Sequence, residues 1–282
     1  MLVILALVSG IYLLTGDSFD IIFRGGDPVI SEMEVLSVNR RDGARLITVP
    51  GGIYPVGDPP VMTRIDSFYI YLHEVTNRQY AKFVEETGYK AQGEWYLLAH
   101  EKTMEHPVCE VSFEDARAYA RWAGGDLPSR IQWEASARGK QGRIYPWGNE
   151  WDPDLSNNRE MDSLRHRVVP LETIDGVKLG TLPVGSFPDG RSPFGVLDMA
   201  GNVAEWCLDI RGEGEMAERV LMGGSFFDNR QGLKTHVPDS DDPRKWCNLY
   251  GFRVVINKFN NNVDKQYDGK MGQNTESPHN PE

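Results

Sequence analysis

The sequence predicts an α+β fold in which short helices and strands are joined by long loops. The 282 residues include 29 glycines, 7 tryptophans and 11 tyrosines, a composition typical of loop-rich proteins held together by aromatic packing. Neither a long helical pattern nor a repeating strand–helix pattern is present. The chain is nevertheless long enough to bury a substantial core.

The two ends of the chain differ from its middle. Residues 1–14 are almost purely apolar, which favours an export signal or a short membrane anchor over residues 1–16. A buried N-terminal strand or helix is the alternative. Export would make the protein extracytoplasmic, either periplasmic or tethered to the membrane and facing the periplasm. We expect a linker at 17–45, one domain at 46–258 and a polar, disordered tail at 259–282.

Local patterns within the central domain predict its elements in order. Short strands are expected on either side of Gly51–Gly52 and at Phe68–Tyr71. Three helices are expected because a hydroxyl residue precedes each apolar pattern and a polar residue follows three positions later, the spacing of a capping box. The pairs are Thr76 with Gln79, Ser112 with Asp115, and Ser129 with Gln132, and the expected ends are Gly88, Gly124–Gly125 and Gly139.

Charge and cysteine content narrow the classes of function. The net charge of −11 argues against nucleic-acid binding, which needs clustered lysine and arginine. Three cysteines, Cys109, Cys207 and Cys247, allow at most one disulfide and form no zinc motif. In an oxidising compartment Cys109 could pair with Cys247, and three unpaired thiols are an equal alternative.

A series of motifs runs through residues 46–256. The motifs are Glu74-Val75-Thr76-Asn77, His106-Pro107-Val108, Gly201-Asn202 with Glu205-Trp206, Gly223-Gly224-Ser225-Phe226 and Gly251-Phe252-Arg253. Each is weak alone, but together and in this order they resemble the formylglycine-generating-enzyme (sulfatase-modifying-factor) family. The resemblance implies an irregular, loop-rich, C-type-lectin-like fold with bound calcium.

The resemblance also implies two structural calcium sites built from oxygen ligands, which calcium prefers. The first would use the side chains of Asp198 and Glu205 with the carbonyls of Gly201 and Val203. The second would use the side chains of Asn157 and Asp175 with the carbonyls of Asn158 and Val177. The alternative for the first site is that its two carboxylates only hydrogen-bond their loop.

The chain departs from the copper-dependent members, which carry two cysteines just after the Gly-Gly-Ser turn. The matching positions are Asp228 and Leu233, and neither side chain can replace a thiolate for Cu(I). Copper and formylglycine generation on sulfatases are therefore not expected. His100 and His106, beside Glu101 and Glu105, could suggest an iron site of two histidines and one carboxylate. Iron is not expected here, because His106-Pro107 belongs to a structural motif of the family and acidic neighbours are typical of a solvated loop.

Two classes of function remain. The first is an exported, calcium-stabilised maturation factor that binds a protein, peptide or small molecule. Its candidate ligand surface comprises Asp228, Arg230, His236, Asp239 and Trp246. The second is an oxidoreductase with altered chemistry that matures a periplasmic protein, a peptide or a siderophore. An exported branch of the family that matures the siderophore pyoverdine, and also lacks the cysteine pair, keeps this second class open.

Overall fold

The computed structural model describes residues 37–161 and 180–257 with their side chains, and the backbone of four short strands in the remainder. The chain divides into two compact units, Met1–Glu34 and Val35–Glu282. The first unit contains an antiparallel hairpin of β1 (Val3–Leu7) and β2 (Gly10–Leu14), which falls on the predicted signal or anchor. Within the described residues, no helix has the length and apolar character needed to cross a membrane. The predicted tail at 259–282 lies outside the described residues.

Short elements build the second unit, and its described helices are all of eleven residues or fewer. In chain order the elements are β3 (Ser37–Val38), β4 (Arg45–Val49), β5 (Gly52–Val56), β6 (Val61–Ile65), β7 (Phe68–Tyr71), α1 (Asn77–Thr87), α2 (Phe113–Trp122), α3 (Arg130–Arg138), β8 (Thr173–Ile174), β9 (Val177–Lys178), β10 (Ala204–Arg211), β11 (Glu218–Met222), β12 (Asp239–Asp241), β13 (Tyr250–Gly251) and β14 (Val255–Asn257).

The strands of the second unit form two four-stranded sheets and two separate hairpins. One sheet has the order β14-β7-β4-β3, the other has the order β12-β11-β10-β13, and the hairpins are β5-β6 and β8-β9. The pair β10–β13 is parallel, whereas the other pairs are antiparallel. Long loops join these elements, so the predicted α+β, loop-rich fold is confirmed.

All three predicted helices form, and each begins with the predicted capping box. In α1 the Thr76 hydroxyl accepts the Gln79 amide while the Gln79 side chain accepts the Thr76 amide, and the same exchange opens α2 and α3. Such reciprocal bonds satisfy two amides that have no partner inside the helix. The helix α1 ends at Gly88 with φ of 66°, a left-handed conformation that glycine adopts without strain.

Part of the predicted linker belongs to the folded unit. The strand β3 pairs with β4, and the buried Asn39 side chain donates to the Tyr71 hydroxyl at 2.7 Å and to the Ala123 carbonyl at 2.9 Å. The Asp42 carboxylate accepts hydrogen bonds from the hydroxyls of Tyr71 (2.6 Å) and Tyr119 (2.5 Å). Residues 37–45 therefore tie β7 to α2.

The core consists of two main apolar clusters. One is rich in aromatic residues and includes stacked Tyr80 and Tyr119, whose ring centroids are 5.8 Å apart. The other surrounds Trp133 of α3. Trp206 and Cys207 of β10 belong to different clusters because successive strand residues point to opposite faces. The candidate site described next lies at the beginning of this strand.

Candidate functional site

A strained loop leads into β10 and sets the backbone of the first predicted calcium site. Asp198, Gly201 and Asn202 all have positive φ values, of 55°, 79° and 63°. A β-carbon at Gly201 would stand only 2.1 Å from the Asn157 carbonyl oxygen, so the close approach requires glycine. The amide of Asn202 donates to that same carbonyl at 2.9 Å. The loop is thus held against residue 157 by backbone contacts.

Glu205 is fully buried, and donors bind both of its carboxylate oxygens. Arg253 donates through Nε to Oε2 at 2.6 Å and through Nη2 to Oε1 at 2.7 Å, a bidentate pair. The indole Nε1 of Trp133 donates to Oε2 at 2.8 Å. Burial raises the pKa of Glu205, and the Arg253 guanidinium opposes that rise. This carboxylate is therefore committed to an internal ion pair.

Asp198 has a different partner, which the sequence motifs do not reveal. Its Oδ2 accepts a hydrogen bond from the Gly185 amide at 2.6 Å. Its carboxylate also lies beside Glu74 and would accept a hydrogen bond from that side chain when Glu74 is protonated. Glu74 is 0% exposed, and its Oε1 accepts the Asn202 side-chain amide at 3.1 Å. Its Oε2 accepts no hydrogen bond from any described residue. The loop before α1 thus brings a second carboxyl group to Asp198.

The buried cluster carries more negative than positive formal charge. Glu74, Asp198 and Glu205 are three carboxyl groups, and Arg253 is the guanidinium among them. Burial, followed by the charge of Asp198, raises the pKa of Glu74 well above its ordinary value, and burial also raises the pKa of Asp198. Burial lowers the pKa of adjacent His73, which favours its neutral form. A proton or a bound cation would relieve the repulsion between buried Glu74 and partly buried Asp198.

The donor atoms at this position fit a hard cation in part. The Asp198 and Glu74 carboxyl oxygens are of the kind that calcium prefers, and one of them lacks a donor. The Glu205 carboxylate, in contrast, is already bound by Arg253 and Trp133. Among the described residues, no group of three or more His, Cys, Asp or Glu side chains could hold a metal ion. Calcium here would therefore take its remaining ligands from carbonyl groups.

The second predicted calcium site is only half described. The Asn157 side-chain amide donates to the Gly180 carbonyl at 2.9 Å and to Asn202 Oδ1 at 3.0 Å. The Asn158 side chain donates to the carbonyls of Pro153 and Ser156 at 2.8 and 2.9 Å. Of the other predicted ligands, Asp175 lies outside the described residues, and Val177 is described only as backbone in β9. This site stays a prediction.

The two positions that match the copper ligands of the family are fully engaged in the fold. Asp228 Oδ2 accepts the backbone amide and the hydroxyl of Ser225, each at 2.8 Å, which closes a tight turn. Leu233 is 0% exposed and packs close to Gly224, where a β-carbon would stand 3.1 Å from Leu233 Cδ2. One position is thus a turn residue and the other belongs to the core.

The remaining residues of the candidate ligand surface are spread over several elements. Arg230 forms an ion pair with Glu160 at 2.6 Å, and His236 Nε2 lies 3.7 Å from the Asp58 carboxylate. Asp239 belongs to β12, and Trp246 is 38% exposed. Among the described residues, these four side chains form no hydrogen bond or ion pair with one another. They also form none with Asp228. Burial, followed by the charge of Arg138, lowers the pKa of His236.

Three groups at the buried cluster were missed as site residues. Glu74 and Arg253 lie in motifs that the sequence did reveal, but they are separated from their partners by many residues. Trp133 belongs to the buried core around α3, and its indole reaches Glu205 only in the folded structure. Their residue types could have revealed Glu74 and Arg253, because a charged side chain that is buried with its motif needs a buried partner of opposite charge.

Comparison with known proteins identifies a family model and several proteins that this chain resembles. Residues 32–258 match the model of the sulfatase-modifying factor enzyme 1-like domain. The formylglycine-generating enzyme of Thermomonospora curvata is 32% identical over 256 residues, covering 64% of this chain and 82% of that protein. The inactive C-alpha-formylglycine-generating enzyme 2 of Bos taurus is 27% identical over 269 residues, covering 74% and 87%. Relatives described as generating enzymes and relatives described as inactive are thus both similar to this chain.

Solved structures agree at the level of the fold. PvdO from Pseudomonas aeruginosa superimposes with a TM-score of 0.63 at 20% identity, covering 80% of this chain and 98% of that one. CarF superimposes with a TM-score of 0.58 at 22% identity, covering 76% and 98%. The match of residues 32–258 to the family model shows that the chain belongs to the formylglycine-generating-enzyme (sulfatase-modifying-factor) family.

Proposed function

We propose that this protein is a member of the family that has lost copper-dependent oxidation and acts as an exported binding or maturation factor. The observation that carries the proposal is the pair Asp228 and Leu233 at the positions of the copper-binding cysteines. A carboxylate is a hard ligand and an alkyl group is no ligand, whereas Cu(I) selects soft thiolates. The Ser225 turn and the packing of Leu233 also commit both positions to structure.

The three cysteines of the chain offer no replacement pair at this site. Cys207 is fully buried in β10, and burial raises its pKa well above the ordinary value of a thiol. Cys109 and Cys247 lie on other segments, where burial likewise raises their pKa values. A raised pKa disfavours the thiolate that a metal requires. These environments support a function without bound copper.

We further propose that calcium stabilises the loop before β10. Glu74 and Asp198 would supply the carboxyl oxygens, and carbonyls of the loop, such as those of Gly201 and Val203, would supply others. The support is the unpartnered Glu74 Oε2 and the uncompensated charge of the cluster. Bound calcium would supply positive charge and hold the loop in place. The buried pair of Glu205 and Arg253 also holds this loop, because Arg253 donates to the Leu197 and Asp198 carbonyls.

Aromatic and arginine side chains lie next to residues of the candidate ligand surface, which supports a role in recognition. Phe227 is 61% exposed, and the Arg159 guanidinium lies 5.4 Å from the centroid of its ring. The Arg230 guanidinium lies 5.9 Å from the Trp151 ring, and Trp246 is partly exposed. Aromatic and arginine side chains dominate binding energy at protein interfaces. A protein, peptide or small-molecule partner outside the cytoplasm is consistent with this surface and with the apolar N-terminus.

Copper binding and peptide oxidation test this proposal directly. The wild-type chain, loaded with Cu(I) and separated from free metal, is expected to retain no stoichiometric copper and to leave a cysteine-containing sulfatase peptide unchanged. The double variant Asp228→Cys with Leu233→Cys is expected to retain copper, because it restores both soft ligands on the same scaffold. Copper by elemental analysis and the peptide by mass spectrometry are the measurements.

The matched control is the double variant Asp228→Ser with Leu233→Ser, which loses the same structural contacts and gains no thiol. It should bind no copper. Stoichiometric copper or iron in the wild-type chain, together with oxidation of the peptide, would contradict the proposal and favour an oxidoreductase with a different set of ligands.

A further inference from the structure

Two cysteines lie on adjoining segments of the fold although they are far apart in the chain. The backbone amide of Glu110 donates to the Cys247 carbonyl at 3.0 Å, so Cys109 directly precedes a residue bonded to Cys247. This contact holds the two α-carbons roughly 5–7 Å apart, a separation that a disulfide spans. The amide of Phe113 also donates to the Pro243 carbonyl, at 3.1 Å. Two backbone bonds thus align the segments.

The two thiols differ in exposure, which determines the one that a small disulfide reaches first. Cys109 is 1% exposed and contacts Leu98 and Val203, whereas Cys247 is half-buried. Burial is the main cause that raises the pKa of the Cys109 thiol. The negative charges of Glu110, Glu74 and the Cys247 thiolate raise it further. The thiols are thus near enough to interact. Cys207 packs on the Trp133 side of β10 in another cluster, which excludes it from the pair.

We propose that Cys109 and Cys247 form a disulfide when the protein meets a low-molecular-weight disulfide such as oxidised glutathione. The more accessible Cys247 loses its proton and attacks one sulfur of glutathione disulfide, releasing one glutathione thiolate and leaving a mixed disulfide. Cys109 then loses its proton and displaces the second glutathione. Two cysteine thiols are oxidised, one glutathione disulfide is reduced, and two glutathione molecules take up the two protons.

This bond would fix the segment that carries Trp246. Residues 242–249 are otherwise held by backbone bonds and by exposed ion pairs, such as Lys245 with Asp241 and Arg244 with Asp242. Exposed ion pairs contribute little to stability. A cross-link from Cys247 to the buried Cys109 would anchor this segment to the core. It would also close a long loop of chain and so disfavour the unfolded state.

Thiol counting on the full chain tests the proposal. The protein is reduced, freed of reductant, incubated with glutathione disulfide, denatured and alkylated, and its intact mass is measured. The number of alkylated cysteines is expected to fall from three to one, and peptide mapping is expected to find Cys109 joined to Cys247. The oxidised form should melt several degrees higher, and trypsin should cleave it more slowly after Arg244 and Lys245.

Serine variants separate this bond from non-specific oxidation. Cys207→Ser should still form the disulfide and show the same protection from trypsin. Cys109→Ser should stop at a glutathione adduct on Cys247, and Cys247→Ser should resist oxidation because its remaining thiols are buried. Retention of three alkylatable thiols, or a disulfide that includes Cys207, would overturn the assignment. Each outcome is independent of copper binding, so this test and the test of the proposed function fail separately.

Discussion

At the level of single residues, Glu74 is the side chain whose state decides the chemistry of the buried cluster. It is fully buried beside Asp198, and Oε2 lacks a donor among the described residues. Arg253 neutralises Glu205 through two hydrogen bonds and donates further to the Leu197 and Asp198 carbonyls. The hydrogen bonds of the guanidinium go to other groups, so a proton or a metal ion on Glu74 would provide the missing neutralisation.

The pH dependence of stability follows from the raised pKa values of Glu74 and Asp198. Unfolded carboxyl groups release their protons above about pH 4, whereas the folded pair retains protons to higher pH. Without calcium, the stability of the wild type should therefore fall as pH rises from 5 to 8. The stability of the Glu74→Gln variant should fall less over the same pH range, because the amide side chain stays neutral. Calcium should raise the melting temperature of the wild type and not that of Glu74→Gln.

Two further variants make this prediction specific. Glu105→Gln changes an exposed carboxylate in a surface ion pair with Arg78 and should behave as the wild type. Glu205→Ala should cost about 3–5 kcal/mol with or without calcium, because it leaves the buried Arg253 unpaired. Equal pH slopes and equal calcium responses in the wild type and Glu74→Gln would rule out Glu74 as the group concerned. Differential scanning calorimetry is the measurement.

At the level of elements, the three capping boxes look alike in sequence but differ in their tertiary contacts. In α3 the Gln132 side chain accepts locally from Ser129 and donates to Asn257 at the surface. In α2 the Asp115 carboxylate accepts four hydrogen bonds, from the Tyr89 hydroxyl and from the amides of Gln92, Gly93 and Ser112. Asp115 therefore anchors the loop that follows α1 as well as its own helix.

Alanine substitution should separate these two boxes. Asp115→Ala is expected to cost about 3 kcal/mol or more, since it leaves several buried donors unsatisfied. Gln132→Ala, the matched change at the same helix position, should cost about 1 kcal/mol. Urea denaturation followed by tryptophan fluorescence measures both. Equal losses of unfolding free energy would mean that the four bonds of Asp115 add nothing beyond a local cap.

The helices could be predicted from the sequence because their signals are local. Thr76, Ser112 and Ser129 each stand three residues from the partner that completes the box, so spacing alone was sufficient. Glu74 and Asp198 are distant in the chain, and only the fold brings them together. The same holds for Arg253, whose motif is visible but whose bond to Glu205 depends on tertiary structure. Local chemistry was predictable, whereas the pairing of buried charges was not.

At the level of the whole molecule, the folded unit extends further towards the N-terminus than composition indicates. Residues 37–45 have no periodic pattern, yet Asn39 and Asp42 bind the hydroxyls of Tyr71 and Tyr119. These contacts are made by polar side chains, and an analysis of hydrophobic periodicity does not detect polar residues. The domain boundary is therefore set by hydrogen bonds to buried tyrosines rather than by apolar residues.

Truncation tests this boundary. A chain that begins at residue 35 should retain the melting temperature of the full protein. A chain that begins at residue 46 should melt at least 10 °C lower or fail to fold, because it loses β3 and leaves the two tyrosine hydroxyls without Asp42. The single variant Asp42→Ala, which keeps the length, should show an intermediate loss. Identical melting of the two truncated chains would contradict a structural role for residues 37–45.

The buried pair of Arg253 and Glu205 also has a consequence for biosynthesis. Arg253 lies two residues before β14, which pairs with β7 through Val255 and Ile70. During translation nearly all of the domain, including Glu205 and β7, is synthesised before either contact can form. Glu205 then has no guanidinium, and β7 presents an open edge. The nascent chain is therefore expected to stay incompletely folded, and open to chaperone binding, until residues 253–257 have left the ribosome.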